Sequence, residues 1–255
     1  MSSLNSLPDF EKFIEISPNF YRATFGLTFC FTKYPVAIFL VHIHPSNDWV
    51  LIDAADSDNV SKVLQALSNH FSSFPNHKIK YIALTHGHHD HTSAIPALLE
   101  KYNDAMIVTG ELEVPFLVGE NQYKRQQSDN IWFQAFKFLA KDDSIIISRE
   151  KIIAIQQGKE DEFEFSKILK PIFTVGHTAG SLSYQHVPTK SIIVGDMIFN
   201  VSPRFFLMAI SSASLVDNYK SIEKISQMKD IDYIYPGHNM ETKGINVEDL
   251  KAFLK

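Results

Sequence analysis

Cysteine is nearly lacking in this 255-residue sequence, and Cys30 is its only representative. A single cysteine excludes an internal disulfide framework, and the apolar neighbours of Cys30 indicate a buried strand residue rather than a nucleophile. Apolar runs of about 18 residues are lacking as well, and the first residues do not show the basic-then-apolar pattern of a secretory signal. We therefore expect a cytoplasmic protein that does not cross a membrane.

Clusters of positive charge are also lacking. The 24 lysines and arginines are scattered along the chain and are outnumbered by 29 acidic residues, which gives a net charge of -5. This charge pattern argues against a nucleic-acid surface and against binding to an anionic membrane. We expect a small-molecule substrate and no nucleic-acid partner.

Histidine, in contrast, is concentrated in one short stretch. Residues 85–91 contain four imidazoles and a carboxylate, at His86, His88, His89, Asp90 and His91. Imidazole is the commonest neutral metal ligand near pH 7, and zinc accepts a mixture of imidazole and carboxylate. The apolar run at 80–85 predicts a buried strand before these residues, so they follow the carboxyl end of a strand, where α/β sheets place their sites. Because alternation turns His89 away from its neighbours, we assign it no metal.

Three more residues of this chemical type follow predicted strands, and each lies beside a glycine. They are His177 after a strand at 169–175, Asp196 after a strand at 191–194, and His238 after a strand at 233–235. A single histidine after a strand is usually a core or turn residue whose nitrogens have hydrogen-bond partners. Four strand ends with such residues are harder to explain without a bound metal. Seven ligands exceed the needs of one tetrahedral ion and suit two ions about 3.5 to 4 Å apart. The sequence therefore predicts a dinuclear metal site.

The rest of the pattern predicts an α/β succession. Strands are predicted at 20–30, 36–44, 49–53 and 106–109, a hairpin at 182–187 and 191–194, and helices at 58–71, 213–228 and 247–254. Asp53 ends an apolar strand, which makes it either a hydrogen-bond acceptor for a ligand imidazole or a turn residue. His42 and His44 have metal-like spacing, but two residues on one strand face share that spacing, and a polar edge is the better interpretation.

Residues 111–165 differ in composition from the rest of the chain, because they are rich in aromatic and charged side chains. We interpret this region as an insertion with an amphipathic helix at 131–139, on which Trp132, Phe133 and Phe136 share one side, and with short strands at 145–147 and 152–155. Its aromatic rings pack on the body of the protein, cap the site, or form an interface in a homodimer. The chain is otherwise expected to be a single domain over 1–255.

The residues resemble the metallo-β-lactamase superfamily, whose H-x-H-x-D-H signature is matched at 86–91. The resemblance extends to the strand ending in Asp53, the G-H-T-x-G-S element at 176–181, Gly195-Asp196 and the P-G-H element at 236–238. It implies a four-layer αββα sandwich. It also implies two divalent metal ions, with zinc preferred and iron or manganese as alternatives. By the family pattern His86, His88 and His177 hold one ion, Asp90, His91 and His238 hold the other, and Asp196 bridges them.

The resemblance also implies an activity. Two divalent cations lower the pKa of a shared water from about 15.7 to roughly 7, so no protein nucleophile is needed. Asp90 is the expected catalytic residue, because it can orient the hydroxide and return a proton to the leaving group. We predict a hydrolase of a small ester, lactone or thioester, and the apolar run at 205–208, with Phe199, Trp132, Phe133 and Phe136, predicts a substrate that is apolar around its carbonyl.

Two other functions stay open. The first is a mononuclear iron persulfide dioxygenase, an enzyme class with a similar fold, but a single ion would leave Asp90, His91 and His238 without a metal. The second is a non-catalytic binding protein, which would not need all seven ligand residues. Within the superfamily, Asp196 argues against the common dizinc β-lactamases, which lack that bridging aspartate. Lactonases carry a tyrosine where this chain has Phe199, and glyoxalase II has a longer C-terminal extension.

Overall fold

The computed structural model describes residues 4–29, 32–122, 128, 130–136, 145–201, 205–207 and 211–254. The strands are β1 (Ile14–Ser17), β2 (Phe20–Phe29), β3 (Thr32–His42), β4 (Asp48–Ile52), β5 (Lys78–Ala83), β6 (Met106–Gly110), β7 (Ile152–Ile155), β8 (Leu169–Phe173), β9 (Leu182–His186), β10 (Ser191–Gly195), β11 (Tyr233–Pro236) and β12 (Ile245–Asn246). The α-helices are α1 (Val60–Phe71), α2 (His89–Thr92), α3 (Ile95–Lys101), α4 (Val114–Leu117), α5 (Ile131–Phe136), α6 (Leu215–Ser226) and α7 (Val247–Phe253). The prediction for Cys30 lies outside the described residues.

The strands form two sheets. The larger sheet has seven strands in the order β1 to β7, antiparallel from β1 to β4 and parallel from β4 to β7. The smaller sheet has the order β12-β11-β10-β9-β8, in which only β10 and β11 are parallel. The predicted hairpin is the antiparallel pair of β9 and β10.

Both sheets are buried on both faces. Strand β3 illustrates this for the larger sheet. Ile38 and Leu40 belong to the core between the larger sheet and helices α1 and α3, while Phe39 and Val41 belong to the core between the two sheets. Successive side chains of a strand point to opposite faces, so a continuous apolar run fills two cores. A third core lies between the smaller sheet and helices α6 and α7. Three cores separate four layers, which confirms the αββα sandwich.

Helices α6 and α7 each begin directly after a residue whose side chain caps the helix. The side chain of Ser214 accepts a hydrogen bond from the Asp217 backbone, and the side chain of Asn246 accepts one from the Glu248 backbone. These bonds satisfy N–H groups that a first helical turn leaves without partners.

The region 111–165 differs in part from the prediction. The helix α5 begins at the predicted residue, but residues 145–147 form no strand, and residues 137–144 lie outside the described part. Strand β7 pairs in parallel with β6, so this part of the region completes the larger sheet. Among the described residues, no helix is both long and apolar enough to cross a membrane.

Candidate metal centre

The ends of four strands meet at one edge of the sandwich and bring the predicted ligands together. Strand β5 leads to His86, β8 to His177, β10 to Asp196 and β11 to His238. The Leu182 N–H donates to the Thr85 carbonyl at 2.8 Å, which joins the two sheets beside the site. All seven predicted ligand residues lie in this region, in two groups.

The first group consists of three imidazoles. His88 Nδ1 lies 3.0 Å from His86 Nε2 and 2.9 Å from His177 Nε2. Burial, reinforced by neighbouring imidazoles, lowers the pKa of His86 well below its usual value and that of His88 to about 3. Burial also lowers the pKa of His177 to about 4, against the attraction of Asp196. Three neutral imidazoles therefore converge, which is the ligand set that zinc accepts.

The second group consists of Asp90, His91, Asp196 and His238. His238 Nε2 lies 3.3 Å from Asp90 Oδ2 and 3.2 Å from Asp196 Oδ2, and His91 Nε2 lies 3.2 Å from Asp196 Oδ1. Burial alone would raise the pKa of both carboxyl groups, but His91 and His238 outweigh it and hold both pKa values well below the usual range. This group therefore carries two carboxylates.

The same charges act on the imidazoles of the second group. Burial alone would lower their pKa, but the carboxylates, Asp196 first, raise the pKa of His238 to about 10 and that of His91 well above its usual value. Without a metal, a proton on His238 Nε2 therefore lies between two carboxylate oxygens. A divalent cation could replace that proton.

Asp196 lies within reach of both groups. Its Oδ1 faces His91 in the second group, and its Oδ2 lies 3.6 Å from His177 Nε2 in the first. Gly237 permits this approach, because a Cβ there would lie 2.8 Å from Asp196 Oδ1. The Asp196 carboxylate thus lies within 3.6 Å of an imidazole nitrogen of each group.

Asp53 contacts both Thr85 and His91, so the structure supports the first interpretation, in which Asp53 is a hydrogen-bond acceptor for an imidazole of the H-x-H-x-D-H segment. Its carboxylate accepts hydrogen bonds from the His91 Nδ1 at 2.9 Å and from the Thr85 backbone and hydroxyl, both at 2.8 Å. Since the Thr85 hydroxyl proton goes to Asp53, its oxygen accepts from His86 Nδ1 at 3.1 Å. His86 therefore presents the lone pair of Nε2 to the site, an orientation typical of metal-binding histidines.

Two buried atoms test whether these residues fit a metal. His91 Nε2 and Asp196 Oδ1 have no hydrogen-bond partner among the described residues, although they are 3.2 Å apart. Buried polar atoms without partners are rare and costly. A divalent cation would give both atoms a ligand bond, so the residues fit a metal. His89 lies outside both groups.

Aromatic rings line the second group. The Phe199 ring stacks on the His238 imidazole with centroids 4.7 Å apart, and Phe206 stacks on Phe199 at 5.5 Å. Phe205 and Leu207 instead pack against the core beneath α6 and α7.

The prediction that Trp132 and Phe133 share one helical side is wrong. Phe133 is 5% exposed and Trp132 is 54% exposed, because adjacent residues of a helix point in different directions. The side chain of Phe136 and all of Met208 lie outside the described part of the chain.

Sequence reasoning missed Glu113, whose buried carboxylate contacts the backbone of both ligand loops of the first group. The segment Glu111-Leu112-Glu113 looks like a solvated turn in the sequence. Only the nearby Gly110 signals a close approach of two backbones, since a Cβ there would lie 2.2 Å from the Gly180 carbonyl oxygen.

Known proteins share this architecture and sequence pattern. A family model described as "Metallo-beta-lactamase superfamily" matches residues 32–238. The chain is 25% identical over 200 residues to a hydroxyacylglutathione hydrolase of Bartonella tribocorum, an alignment that covers 78% of this chain and 61% of that protein. It is 28% identical over 190 residues to the probable metallo-hydrolase MJ0888 of Methanocaldococcus jannaschii, which covers 74% of this chain and 82% of that protein. This chain thus spans less than two thirds of the length of the Bartonella relative.

The fold is also similar to that of a solved structure. A metallo beta lactamase from Erythrobacter litoralis, crystallised with beta mercaptoethanol in its active site, superposes with a TM-score of 0.67 at 16% identity. The match covers 95% of this chain and 93% of that chain.

Proposed function

Because the chain belongs to the metallo-beta-lactamase superfamily, we propose that it is a dinuclear metal-dependent hydrolase of a small ester, lactone or thioester. The observation that carries this proposal is the position of Asp196, with one carboxylate oxygen 3.2 Å from His91 Nε2 and the other 3.6 Å from His177 Nε2. A carboxylate between two ligand groups is the arrangement that holds two ions at a fixed spacing.

Each group would hold one ion. His86, His88 and His177 would bind the first, and Asp90, His91 and His238 the second, with Asp196 shared. Bound divalent cations would lower the pKa of a coordinated water toward 7 and polarise the scissile carbonyl. The donor set favours zinc, with iron or manganese as alternatives.

Asp90 is the proposed catalytic residue of the chain. Its side chain is 12% exposed, compared with 0%, 5% and 4% for His91, Asp196 and His238, so it is the most exposed member of the second group. A carboxylate at that place can orient the attacking oxygen, take up its proton and deliver it to the leaving group.

The second ligand group argues against the mononuclear alternative. An iron persulfide dioxygenase with one ion in the first group would leave the buried Asp90 carboxylate and the imidazoles of His91 and His238 without a metal. Burying charged groups costs free energy unless they are paired or coordinate a metal. We include thioesters among the candidate substrates because the Bartonella relative is named as a hydrolase of hydroxyacylglutathione, which is a thioester.

The test is a metal analysis joined to a substrate panel. We expect about two transition-metal ions per purified wild-type chain and turnover of at least one compound among small esters, lactones and thioesters. Asp196→Ala should lose most of the activity and part of the metal. Asp217→Ala, which changes a surface carboxylate that is 44% exposed, should keep both.

Three results would contradict the proposal. They are a chain with a single iron and no second metal, a chain with two ions that hydrolyses none of the three substrate classes, and an Asp196→Ala variant with wild-type turnover.

A further inference from the structure

One buried carboxylate outside the ligand set joins both loops of the first metal group. Glu113 ends a one-turn 3-10 helix, Glu111–Glu113, that follows β6 in the larger sheet, and it is 0% exposed. Its Oε2 accepts a hydrogen bond at 2.9 Å from the N–H of Gly87, the residue between His86 and His88. Its Oε1 accepts one at 2.9 Å from the Gly180 N–H, in the loop that carries His177.

A hydroxyl relay adds a third contact. The Thr178 hydroxyl, one residue after His177, donates to Glu113 Oε1 at 2.6 Å. Because the Thr178 hydroxyl proton points to Glu113, the Thr178 oxygen accepts the hydrogen bond from the Ser181 hydroxyl, at 2.7 Å. The Ser181 oxygen in turn accepts from the Thr178 backbone N–H at 3.0 Å. The turn after His177 is thus fixed through Glu113.

The loop that carries Gly180 is packed closely against Glu113. A Cβ on Gly180 would lie 2.7 Å from Glu113 Cγ and Oε1 and 2.8 Å from the Glu113 backbone nitrogen. Real Cβ atoms do not approach backbone atoms so closely, so Gly180 is required here. The loop from the smaller sheet therefore rests directly on the helix that carries Glu113.

We propose that Glu113 is a positioning residue that sets the relative placement of His86, His88 and His177, and thereby the affinity of the first metal ion. This inference rests on the ligand assignment of the proposed function. The first two imidazoles follow the larger sheet, the third follows the smaller sheet, and Glu113 bonds to both loops. Residues that orient metal ligands typically alter metal affinity by about 10-fold to 100-fold when they are replaced.

The substitution Glu113→Gln is the direct test, because it keeps the shape and changes one oxygen acceptor into an amide donor. A carboxamide can accept from Gly87 or from Gly180 but not from both, so one buried N–H loses its partner. Glu111→Gln is the matched control, since Glu111 lies in the same 3-10 helix and its carboxylate contacts the Gln157 N–H at 3.5 Å, away from both ligand loops.

Each full-length protein is stripped of metal and titrated with zinc in competition with a chromophoric chelator. In Glu113→Gln we expect one of the two ions to bind at least about tenfold more weakly and the other to keep its affinity. The titration should therefore resemble that of His177→Ala and differ from that of His238→Ala. The visible spectrum of the cobalt-substituted variant should also change, because it reports ligand geometry. Glu111→Gln should match the wild type in both measurements.

Wild-type affinity for both ions in Glu113→Gln would overturn the role of Glu113, whatever happens to thermal stability. If that variant does not fold, Thr178→Val decides, since it removes a single donor to the carboxylate. It should weaken the same ion severalfold, and unchanged binding would overturn the proposal. A wild-type chain that binds fewer than two ions contradicts the dinuclear function instead, so the two failures are distinguishable.

Discussion

At the scale of single residues, two phenylalanines give the metal centre an apolar side. Phe199 is 4% exposed and stacks almost parallel on the His238 imidazole, at an interplanar angle of 6°. Phe206 is only partly buried and stacks on the outer side of Phe199. Ligand pockets combine such apolar walls with a few polar groups, so an acyl chain next to the carbonyl would lie against these rings.

We therefore predict that longer acyl chains react faster and that Phe206→Ala weakens this preference. Burying one methylene contributes about 0.8 kcal/mol, a factor of about four in binding. The measurement is kcat/KM for esters or lactones of increasing acyl length. Tyr219→Ala, which removes an exposed ring on α6, is the control and should keep the wild-type slope. A flat series in the wild type would mean that the rings serve packing alone.

At the scale of elements, strand β2 holds the segment that follows His238. Arg22 of β2 is fully buried, and its guanidinium donates to the carbonyls of Asn239 and Glu241, both at 2.7 Å. Asp9 neutralises it at 3.1 Å and accepts a further hydrogen bond from the Thr242 hydroxyl at 2.9 Å. The N-terminal segment, the larger sheet and a ligand loop are thus joined through one ion pair.

Arg22→Met should lower the free energy of unfolding by about 3 to 5 kcal/mol, because it leaves the Asp9 carboxylate buried without its cation. Urea denaturation measures this loss, and adding Asp9→Asn should recover part of it. Lys62→Met is the control. It breaks an exposed pair with Glu11, whose side chains are 46% and 33% exposed, and should change the stability by less than about 1 kcal/mol. Equal urea midpoints for Arg22→Met and the wild type would refute the role of the pair.

The positions of residues relative to the strands explain which parts of the site and fold can be predicted from the sequence. The seven predicted ligand residues follow strands, and strand ends in an α/β sheet meet at one edge, so local patterns are enough to group them. Glu113 and Arg22 escape such reasoning because their partners lie far along the chain, 67 residues away at Gly180 and 219 residues away at Glu241. A single charged residue in a short turn or strand carries no local sign of such a contact. Strand β7 was predicted, but its place in the larger sheet depends on pairing with β6, which periodicity does not specify.

At the scale of the whole molecule, three apolar cores separate the four layers and place the metal centre at one end of both sheets. Strand β9 runs from Leu182, next to the Thr85 carbonyl at the site, to His186 at the far end. His186 is 1% exposed and packs on the Phe20 ring at 5.1 Å. Its Nδ1 lies 2.7 Å from the Thr189 hydroxyl. The distance from the metal centre makes His186 a probe of global stability.

Burial lowers the pKa of His186 from 6.5 to about 4. Below pH 6.5 the unfolded chain therefore takes up a proton that the folded chain does not, so stability falls as the pH drops from 6.5 and the loss ends near pH 4. The slope for this one group is about 1.4 kcal/mol per pH unit. We predict that His186→Phe removes that part of the slope. The measurement is the free energy of unfolding by urea between pH 7 and pH 4, with His44→Phe, a change at an exposed histidine, as the control. If wild type and His186→Phe lose stability in parallel over this range, the buried imidazole does not contribute to acid sensitivity.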